Sequence, residues 1–313
     1  MKLVTFETQG AGQAARHVGA VLSDGKTITD FTASSSAPHF RDMLALIDGG
    51  AVALEEARAL EMSPKATAAV AAVTLLAPVP EPRQMRDFLV FEKHLRQARA
   101  NRYLFTGGER GDPAKMEIPK VWYQQPIYYK CNRFSVVGTG HDVRWPLESK
   151  MLDYELEFGI FLGKRGVNIT KQNARGHIFG FCIFNDVSAR DIQMPEMSGQ
   201  LGPCKGKDFD TGNVMGPWLV TADEVKDPYN LTMTARVNGE EWSRGNSGTM
   251  HHKFEDIIAH VSRDETIHPG EFFGSGTVGG GCGLEQARFL KPGDVVELEV
   301  EGLGVLRNRF VKN

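Results

Sequence analysis

The chain has 313 residues, of which 41% are hydrophobic and 24% charged, and its formal net charge at pH 7 is -3. A chain of this length can bury a large core and can form two domains. The weak negative charge gives no electrostatic reason to expect a nucleic acid or an anionic membrane surface as partner. No apolar run approaches the length that spans a bilayer, and the first residues turn polar too early for a signal peptide. We therefore expect a cytoplasmic protein.

The cysteines give no framework for a disulfide-stabilised fold. Cys131, Cys182, Cys204 and Cys282 lie far apart and form no CxxC pair. Such spacing is typical of reduced thiols in a cytoplasmic protein, and it does not match the ligand spacing of a structural zinc site.

The first part of the chain predicts a small α+β unit. After an initial strand, residues 17–31 read as a hairpin, and two short helices follow on either side of Gly49-Gly50. Three prolines then fall within residues 77–82, and stretches of this kind commonly join domains. We therefore predict an N-terminal domain at 1–78 and a larger catalytic domain at 83–313.

The larger unit contains many strand signals and few helical ones, which argues against a parallel α/β sheet. A strand end enters a helix within 86–97, and apolar residues at helical spacing predict a short helix at 253–261. The strand signals lie at Val121–Tyr123, Ser135–Val137, Asp153–Gly163, Ile178–Phe184, Trp218–Thr221, Leu231–Gly239 and Asp294–Leu306. These patterns predict a mixed α+β, β-rich fold.

Acidic residues fall where two of these strands can place them together. In Asp153–Gly163 the apolar residues alternate as in a half-buried strand, so Glu155 and Glu157 share the other face, with Cα atoms about 6.6 Å apart. Asp186 ends the apolar run that begins at Ile178. Three converging carboxylates suit a hard cation such as Mg²⁺, Mn²⁺ or Ca²⁺. Each acid also has an ordinary alternative, as a solvent-facing strand residue or a turn cap.

Three further features have both a structural and a catalytic interpretation. Lys207 is followed closely by two acids, Asp208 and Asp210, and it is either part of a surface ion pair or a cation that stabilises an oxyanion. His94 follows Asp87 by seven residues and can share a cleft with it. The glycine-rich segment 274–283 lacks the Walker A ending and precedes a strand, so neither a P-loop nor a Rossmann turn fits. It is a flexible turn or a loop that approaches a small anionic ligand.

Taken together, five separated segments resemble the fumarylacetoacetate hydrolase family. They are Glu155–Glu157, Asn185–Gln193, Gly206–Lys207, Ser275–Thr277 and Gly302–Asn308. Their order and spacing agree with the family from about Arg83 to Phe310, and the leading unit is similar to the N-terminal domain of its longer members. The resemblance implies a β-roll catalytic domain, a homodimer and one oxygen-bound divalent cation, for which Mg²⁺ is expected and Mn²⁺ or Ca²⁺ are alternatives.

The resemblance also assigns roles to individual residues. The implied metal ligands are Asp87, Glu155, Glu157 and Asp186. The implied general base is His94, which Glu285 orients. The implied oxyanion and substrate contacts are Tyr129, Arg190, Gln193, Lys207 and Thr277. The chain departs from fumarylacetoacetases at Met197, where they have a tyrosine, in a shorter loop after Thr277 and in Lys130–Arg133, so the resemblance does not single out fumarylacetoacetate itself as the substrate.

The implied reaction is hydrolysis of a carbon–carbon bond in a β-diketo acid, either an acylpyruvate or a fumarylacetoacetate-like substrate, with an enolate leaving group that the cation stabilises. His94 would take a proton from water, and Lys207 and Gln193 would stabilise the oxyanion. Decarboxylation, keto–enol isomerisation and hydration of a related 2-oxo or dienoic acid are alternatives in the same site. A catalytically silent metal-binding scaffold is the alternative of another class, and the presence of His94, Lys207 and Arg190 argues against it.

Overall fold

This computed structural model describes residues 1–8 and 15–312. Residues 9–14 and 313, which fall within the two predicted units, lie outside the described residues. Strands dominate and helices are minor, which confirms the mixed α+β, β-rich class. Among the described helices, none combines the length and the hydropathy needed to cross a membrane.

The strands of the described residues form three sheets and are numbered in chain order. They are β1 Lys2–Thr8, β2 Ala15–Val21, β3 Thr27–Asp30, β4 Thr67–Ala69, β5 Val73–Leu75, β6 Met85–Phe88, β7 Tyr128–Lys130, β8 Val136–Val137, β9 Asp142–Arg144, β10 Leu152–Asp153, β11 Leu156–Leu162, β12 Ile178–Asp186, β13 Ser188–Ala189, β14 Asn213–Thr221, β15 Thr232–Val237, β16 Glu240–Asn246, β17 Phe272–Gly274, β18 Val295–Val300 and β19 Gly304–Val311.

The helices connect these strands and are mostly short. They are α1 Phe31–Ser34, α2 Met43–Met62, α3 Glu92–Ala100, α4 Tyr103–Thr106, α5 Lys120–Gln124, α6 Lys171–Ala174, α7 Arg190–Ser198, α8 Phe254–Val261 and α9 Gly283–Gln286. Short 3-10 turns lie at Pro38–Phe40, Val70–Ala72, Pro113–Lys115, Arg175–His177, Cys204–Gly206 and Ser247–Thr249.

The largest sheet joins strands from both predicted units. Its order is β4-β3-β2-β1-β14-β12-β11-β17-β6-β7, with β5 on β1 and β8 on β14. The link is the antiparallel pairing of β1 with β14, in which Leu3 lies opposite Leu219. A second sheet has the order β16-β15-β18-β19-β9, and β10 pairs with β13. The predicted boundary near residue 80 therefore lies between segments that share one sheet, and its position stays a prediction.

Strand β11 lies in the centre of the large sheet and is covered on both faces. Leu156, Phe158 and Ile160 belong to the apolar core that includes β15 and β18 of the second sheet. Phe161 belongs to a second core, which includes Leu46 of α2. The predicted alternation is confirmed, but the prediction of a half-buried strand is wrong, because the N-terminal unit supplies an apolar layer for the second face.

One local prediction is corrected. Val121–Tyr123 lies in helix α5 and not in a strand, because Trp122 turns inward and its indole N–H donates to the Leu89 carbonyl at 2.5 Å. The two short helices expected on either side of Gly49-Gly50 are confirmed, because α2 consists of two helical segments that meet at Gly50, whose φ of 55° lies outside the helical range. The hairpin of β2 and β3, the step from β6 into α3 and the helix α8 are confirmed.

Candidate active site

Three carboxylates from three strands of the large sheet meet at one point. Asp87 on β6, Glu157 on β11 and Asp186 at the end of β12 are buried, and each offers one oxygen within 4.8 Å of the others. Strand β17 lies between β11 and β6 and contributes Gly274 at this level. A Cβ atom on Gly274 would lie 2.3 Å from Asp87 Oδ1, so only glycine leaves space for the cluster. Sequence reasoning singled out the glycine-rich segment that begins at Gly274, but it did not assign Gly274 to the cation site.

The hydrogen bonds of the cluster leave part of its oxygen surface without partners. Thr277 Oγ1 donates to Glu157 Oε1 at 3.1 Å, and Tyr129 Oη donates to Asp186 Oδ2 at 2.6 Å. The Gly276 N–H donates to Asp87 Oδ1 at 3.2 Å. Glu157 Oε2 and Asp186 Oδ1 are buried, and no described residue gives either atom a hydrogen bond. Buried oxygens of this kind fit a hard divalent cation, which prefers all-oxygen ligand sets.

The crowding of the three acids opposes their ionisation. Burial raises the pKa of Asp87 to about 8, and the negative charge of Asp186 adds to this effect. Burial, followed by the charge of Asp87, also raises the pKa of Glu157 well above its ordinary value. Burial likewise raises the pKa of Asp186, although Lys207 opposes the shift. A cation placed among these oxygens would remove the electrostatic cost of ionising all three.

Glu155, which sequence reasoning assigned to the metal, contacts two cationic side chains. Its Oε2 accepts from Lys207 Nζ at 2.5 Å, and its Oε1 accepts from Arg190 Nη2 at 2.8 Å. Burial alone would raise the pKa of Glu155, but Lys207 and Arg190 outweigh it and lower this pKa. Lys207 Nζ also donates to Asp186 Oδ2 at 2.5 Å, and Lys207 is only 4% exposed. Lys207 therefore pairs with buried carboxylates, and the alternative of a surface ion pair with the acids that follow it in the sequence is wrong.

Arg190 connects this region to a second acid, which sequence reasoning missed. Its Nε and Nη2 donate to Asp153 Oδ2 at 2.9 and 2.7 Å, and its Nη1 donates to Gln193 Oε1 at 3.0 Å. Asp153 also accepts the N–H groups of Gly283 and Leu284 at 2.7 and 2.9 Å. The available signal is the alternation of three acids, Asp153, Glu155 and Glu157, along the strand predicted from the sequence, of which only the last two were selected.

His94 and Glu285 form the pair that sequence reasoning expected. Nδ1 of His94 on α3 lies 2.8 Å from Oε1 of Glu285 on α9, and both side chains are buried. The N–H groups of Gly280 and Gly281 donate to the same carboxylate at 2.6 and 3.1 Å. At the end of α3, the amide of Asn101 donates to the Leu284 and Glu285 carbonyls at 2.7 and 2.8 Å. A carboxylate at Glu285 accepts from Nδ1–H, which leaves a lone pair on Nε2.

Most of the expected site residues line one cavity of about 330 Å³. Its polar end is formed by Asp87, His94, Tyr129, Glu155, Glu157, Arg190, Gln193, Lys207 and Thr277. Asp186 and Glu285 do not line the cavity. Asp186 contacts the lining residue Lys207, and Glu285 contacts the lining residue His94. Leu89, Leu95, Ile127, Met194, Met197 and Leu284 form an apolar part of the wall, and Arg99 and Arg102 also border the cavity.

Comparison with known proteins assigns the chain to a family. The family model for the C-terminal domain of fumarylacetoacetate hydrolases matches residues 85–311. The chain belongs to the fumarylacetoacetate hydrolase family. It is 33% identical over 312 residues to the mitochondrial oxaloacetate tautomerase fahd2 of Xenopus laevis, covering 99% of this chain and 90% of that protein.

Solved structures of the family share the fold of the whole chain. A fumarylacetoacetate hydrolase from Exiguobacterium antarcticum is 26% identical, with a TM-score of 0.72 and coverage of 99% of this chain and 100% of that chain. A maleylpyruvate hydrolase from Sphingobium sp. SYK-6, in complex with manganese(II) and pyruvate, is 22% identical with a TM-score of 0.73 and full coverage of both chains. The family resemblance inferred from the sequence is therefore confirmed. Because these relatives carry tautomerase and hydrolase names, family membership alone does not select one reaction.

Proposed function

We propose that this member of the fumarylacetoacetate hydrolase family is a divalent-cation-dependent hydrolase that cleaves a carbon–carbon bond in a β-diketo acid. One observation carries the proposal: the imidazole of His94, held by Glu285, borders the same cavity as the carboxylates of Asp87 and Glu157. A general base and a cation site on one small cavity are what hydrolysis of such a substrate requires.

The proposed cation ligands are Asp87, Glu157 and Asp186, because their oxygens converge and two of these oxygens have no hydrogen-bond partner among the described residues. We keep Glu155 as a further proposed ligand, which would have to exchange a contact with Lys207 or Arg190. The oxygen-only donor set favours Mg²⁺, with Mn²⁺ or Ca²⁺ as alternatives. When bound, such a cation would act as a Lewis acid toward the oxygens of the substrate.

The protein's own groups would carry the proton transfers. Nε2 of His94 would take a proton from water, and Glu285 would stabilise the imidazolium that forms. The hydroxide would attack the carbonyl of the acyl group, and Lys207 and Gln193 would stabilise the developing oxyanion. Collapse of this adduct would break the carbon–carbon bond, and the enolate that leaves would take its proton from the imidazolium of His94. Burial opposes the charge of Lys207, but Asp186 and Glu155 outweigh it and raise the pKa of this amine, so it stays a cation at neutral pH.

The charges around the cavity support an acidic substrate. Arg99 and Arg102 border it in addition to the buried Arg190 and Lys207. Burial, together with the neighbouring Arg102, lowers the pKa of Arg99, which is the effect expected where two cations lie close together. An anionic substrate would relieve this repulsion, in agreement with a diketo acid that carries a carboxylate.

Keto–enol tautomerisation is the second candidate, because the relative from Xenopus laevis that matches nearly the whole chain is named an oxaloacetate tautomerase. In that reaction the base would remove a proton from the carbon between two carbonyls, and no water would attack. The same His94 and the same cation site would serve both reactions, so only the products separate them.

Proton NMR of the products tests the proposal. Acylpyruvates and oxaloacetate are each incubated with the protein and Mg²⁺. Two carboxylic acids from an acylpyruvate support hydrolysis, whereas accelerated keto–enol exchange of oxaloacetate without cleavage supports the second candidate. Release of CO₂ would instead indicate decarboxylation. Turnover of none of these compounds with Mg²⁺, Mn²⁺ or Ca²⁺ would contradict both candidates and favour a silent scaffold.

Substitution of the base provides the test at the residue level. We expect His94→Asn to lower kcat by about 10²- to 10⁴-fold, which is the usual contribution of a general base. Mg²⁺ binding, measured by calorimetry, should persist because His94 is not a proposed ligand. His177→Asn is the matched control, since His177 is only partly buried and does not border the cavity. An unchanged rate in His94→Asn would refute the base assignment.

The homodimer and the cytoplasmic location also stay predictions. Light scattering of the purified chain tests the first, and cell fractionation tests the second. Because the Xenopus laevis relative is named a mitochondrial protein, the fractionation separates mitochondria from the cytoplasm.

A further inference from the structure

We propose that His94, Cys282 and Glu285 form a second cation site, separate from the carboxylate cluster and suited to a thiophilic ion such as Zn²⁺. Their donor atoms, Nδ1, Sγ and Oε1, lie within 4.8 Å of one another, and all three residues are buried. The Nδ1–Oε1 distance is 2.8 Å, the Sγ–Oε1 distance is 3.5 Å and the Sγ–Nδ1 distance is 4.0 Å.

These distances are close to those that a tetrahedral zinc ion imposes. With Zn–N and Zn–O bonds of about 2.0 Å and a Zn–S bond of about 2.3 Å, tetrahedral angles give about 3.3 Å between N and O and about 3.5 Å from S to either atom. The Sγ–Oε1 pair already has this separation. The other two pairs each need a change of about 0.5 Å, which small rotations of His94 and Cys282 can provide.

The surroundings hold one donor in place. The Gly280 N–H donates to Glu285 Oε2 at 2.6 Å, so this carboxylate stays oriented while Oε1 binds an ion. A hydrogen bond of this kind, behind a ligand, typically raises metal affinity. His94 borders the cavity whereas Cys282 does not, so the cluster lies behind the imidazole as seen from the cavity.

Charge and proton balance also favour a divalent ion here. Bound Zn²⁺ would have one thiolate, one carboxylate and one neutral imidazole as ligands, so the buried unit is neutral overall and avoids the cost of an uncompensated buried charge. Binding releases the thiol proton of Cys282 to solvent. The proton on Nδ1 of His94 is replaced by the metal, and a proton is taken up at Nε2, so the ring stays neutral.

The site has a functional consequence, and this part rests on the proposed function. Once Nδ1 is coordinated, Nε2 carries the ring proton and has no lone pair to accept one from water. A thiophilic metal ion would therefore inhibit the enzyme without displacing Mg²⁺ from the carboxylate cluster. Metal binding at the three donors does not depend on which reaction the protein catalyses.

Cobalt(II) spectroscopy tests the binding independently of activity. The full-length protein is saturated with Mg²⁺ and then titrated with Co²⁺. We expect a near-ultraviolet thiolate-to-cobalt charge-transfer band in the wild type. The band should be absent from Cys282→Ser and retained in Cys131→Ser, the matched control, because Cys131 is also buried. No band in the wild type would overturn the site, and so would a band that only Cys131→Ser removes.

Zinc inhibition tests the consequence. Each variant is compared with its own rate without Zn²⁺, at saturating Mg²⁺. We expect Cys282→Ser to raise the half-inhibitory Zn²⁺ concentration about tenfold or more, and Cys282→Ala, checked by circular dichroism, provides a second variant if the serine does not fold. If the cobalt band depends on Cys282 but Zn²⁺ inhibits both proteins equally, the inhibition inference is refuted. If no turnover is found, the cobalt band still decides the site.

Discussion

Replacing Asp87 by Asn should remove a pH dependence from the stability of the metal-free protein. Burial and the charge of Asp186 raise the pKa of Asp87 from its ordinary value of 3.8 to about 8. Between these values the folded chain holds a proton on Asp87 that the unfolded chain has released. The unfolded state then binds fewer protons than the folded state, so the free energy of unfolding falls as pH rises.

The size of the effect follows from the same shift. Each pH unit inside this window is worth about 1.4 kcal/mol for a group that is protonated only in the folded state. From pH 5 to pH 7, the wild type should therefore lose about 3 kcal/mol more stability than Asp87→Asn, which carries no titrating group at this position. Asn has nearly the shape of Asp, so the core around the cluster is retained.

Urea unfolding in the presence of EDTA measures this difference. The free energy of unfolding of the wild type and of Asp87→Asn is determined at several pH values between 5 and 8. Glu55→Gln, at an exposed position on α2, is the matched control and should follow the wild type. Mg²⁺ should stabilise the wild type more at high pH, because the cation competes with the bound proton. Parallel pH profiles for the wild type and Asp87→Asn would refute the reasoning.

Two further substitutions test the space and the charges of the site. Gly274→Ala places a Cβ atom 2.3 Å from Asp87 Oδ1, so the Mg²⁺ affinity, measured by calorimetry, should fall by about 10- to 100-fold. Gly176→Ala is the control and should leave the Mg²⁺ affinity unchanged, because a Cβ atom on Gly176 has no neighbour within 4 Å. Arg190→Met leaves the buried carboxylates of Asp153 and Glu155 without this cation and should lower the free energy of unfolding in urea by about 3 to 5 kcal/mol. Arg96→Met is the control and should have a much smaller effect, because Arg96 forms a half-exposed ion pair within a helix. Normal Mg²⁺ affinity in Gly274→Ala, or equal losses in the two arginine variants, would contradict these assignments.

The strand pattern of the fold was predictable where it is local. The alternation in Asp153–Gly163 indicates which side chains share a face, and β11 obeys it. Burial of its second face was not predictable, because the covering layer comes from α2, more than ninety residues earlier in the chain. Val121–Tyr123 shows that the secondary structure of a short run is poorly determined by its own residues. These three residues favour a strand, but they form a helical turn because that conformation buries Trp122.

The candidate site was predictable where residues carry chemical signals in recognisable segments. His94 and Glu285 are 191 residues apart, yet the resemblance paired them, and they lie 2.8 Å apart. The roles of Gly274 and Asn101 were not predicted. Gly274 leaves space for Asp87 because it has no side chain, and Asn101 donates two hydrogen bonds to carbonyls that are distant in the chain. Neither role produces a pattern in the neighbouring residues of the sequence.

Asp153 and Asn101 explain how the cation cluster and the His94–Glu285 pair are held at a fixed distance from each other. Asp153 binds Arg190, which contacts Glu155, and it also accepts the N–H groups that begin α9 and so position Glu285. Asn101 fixes the other side of α9 to the end of α3, the helix that carries His94. The cation cluster and the base are therefore held by one buried network, so a change at Asp153 should alter the distance between them although Asp153 does not border the cavity.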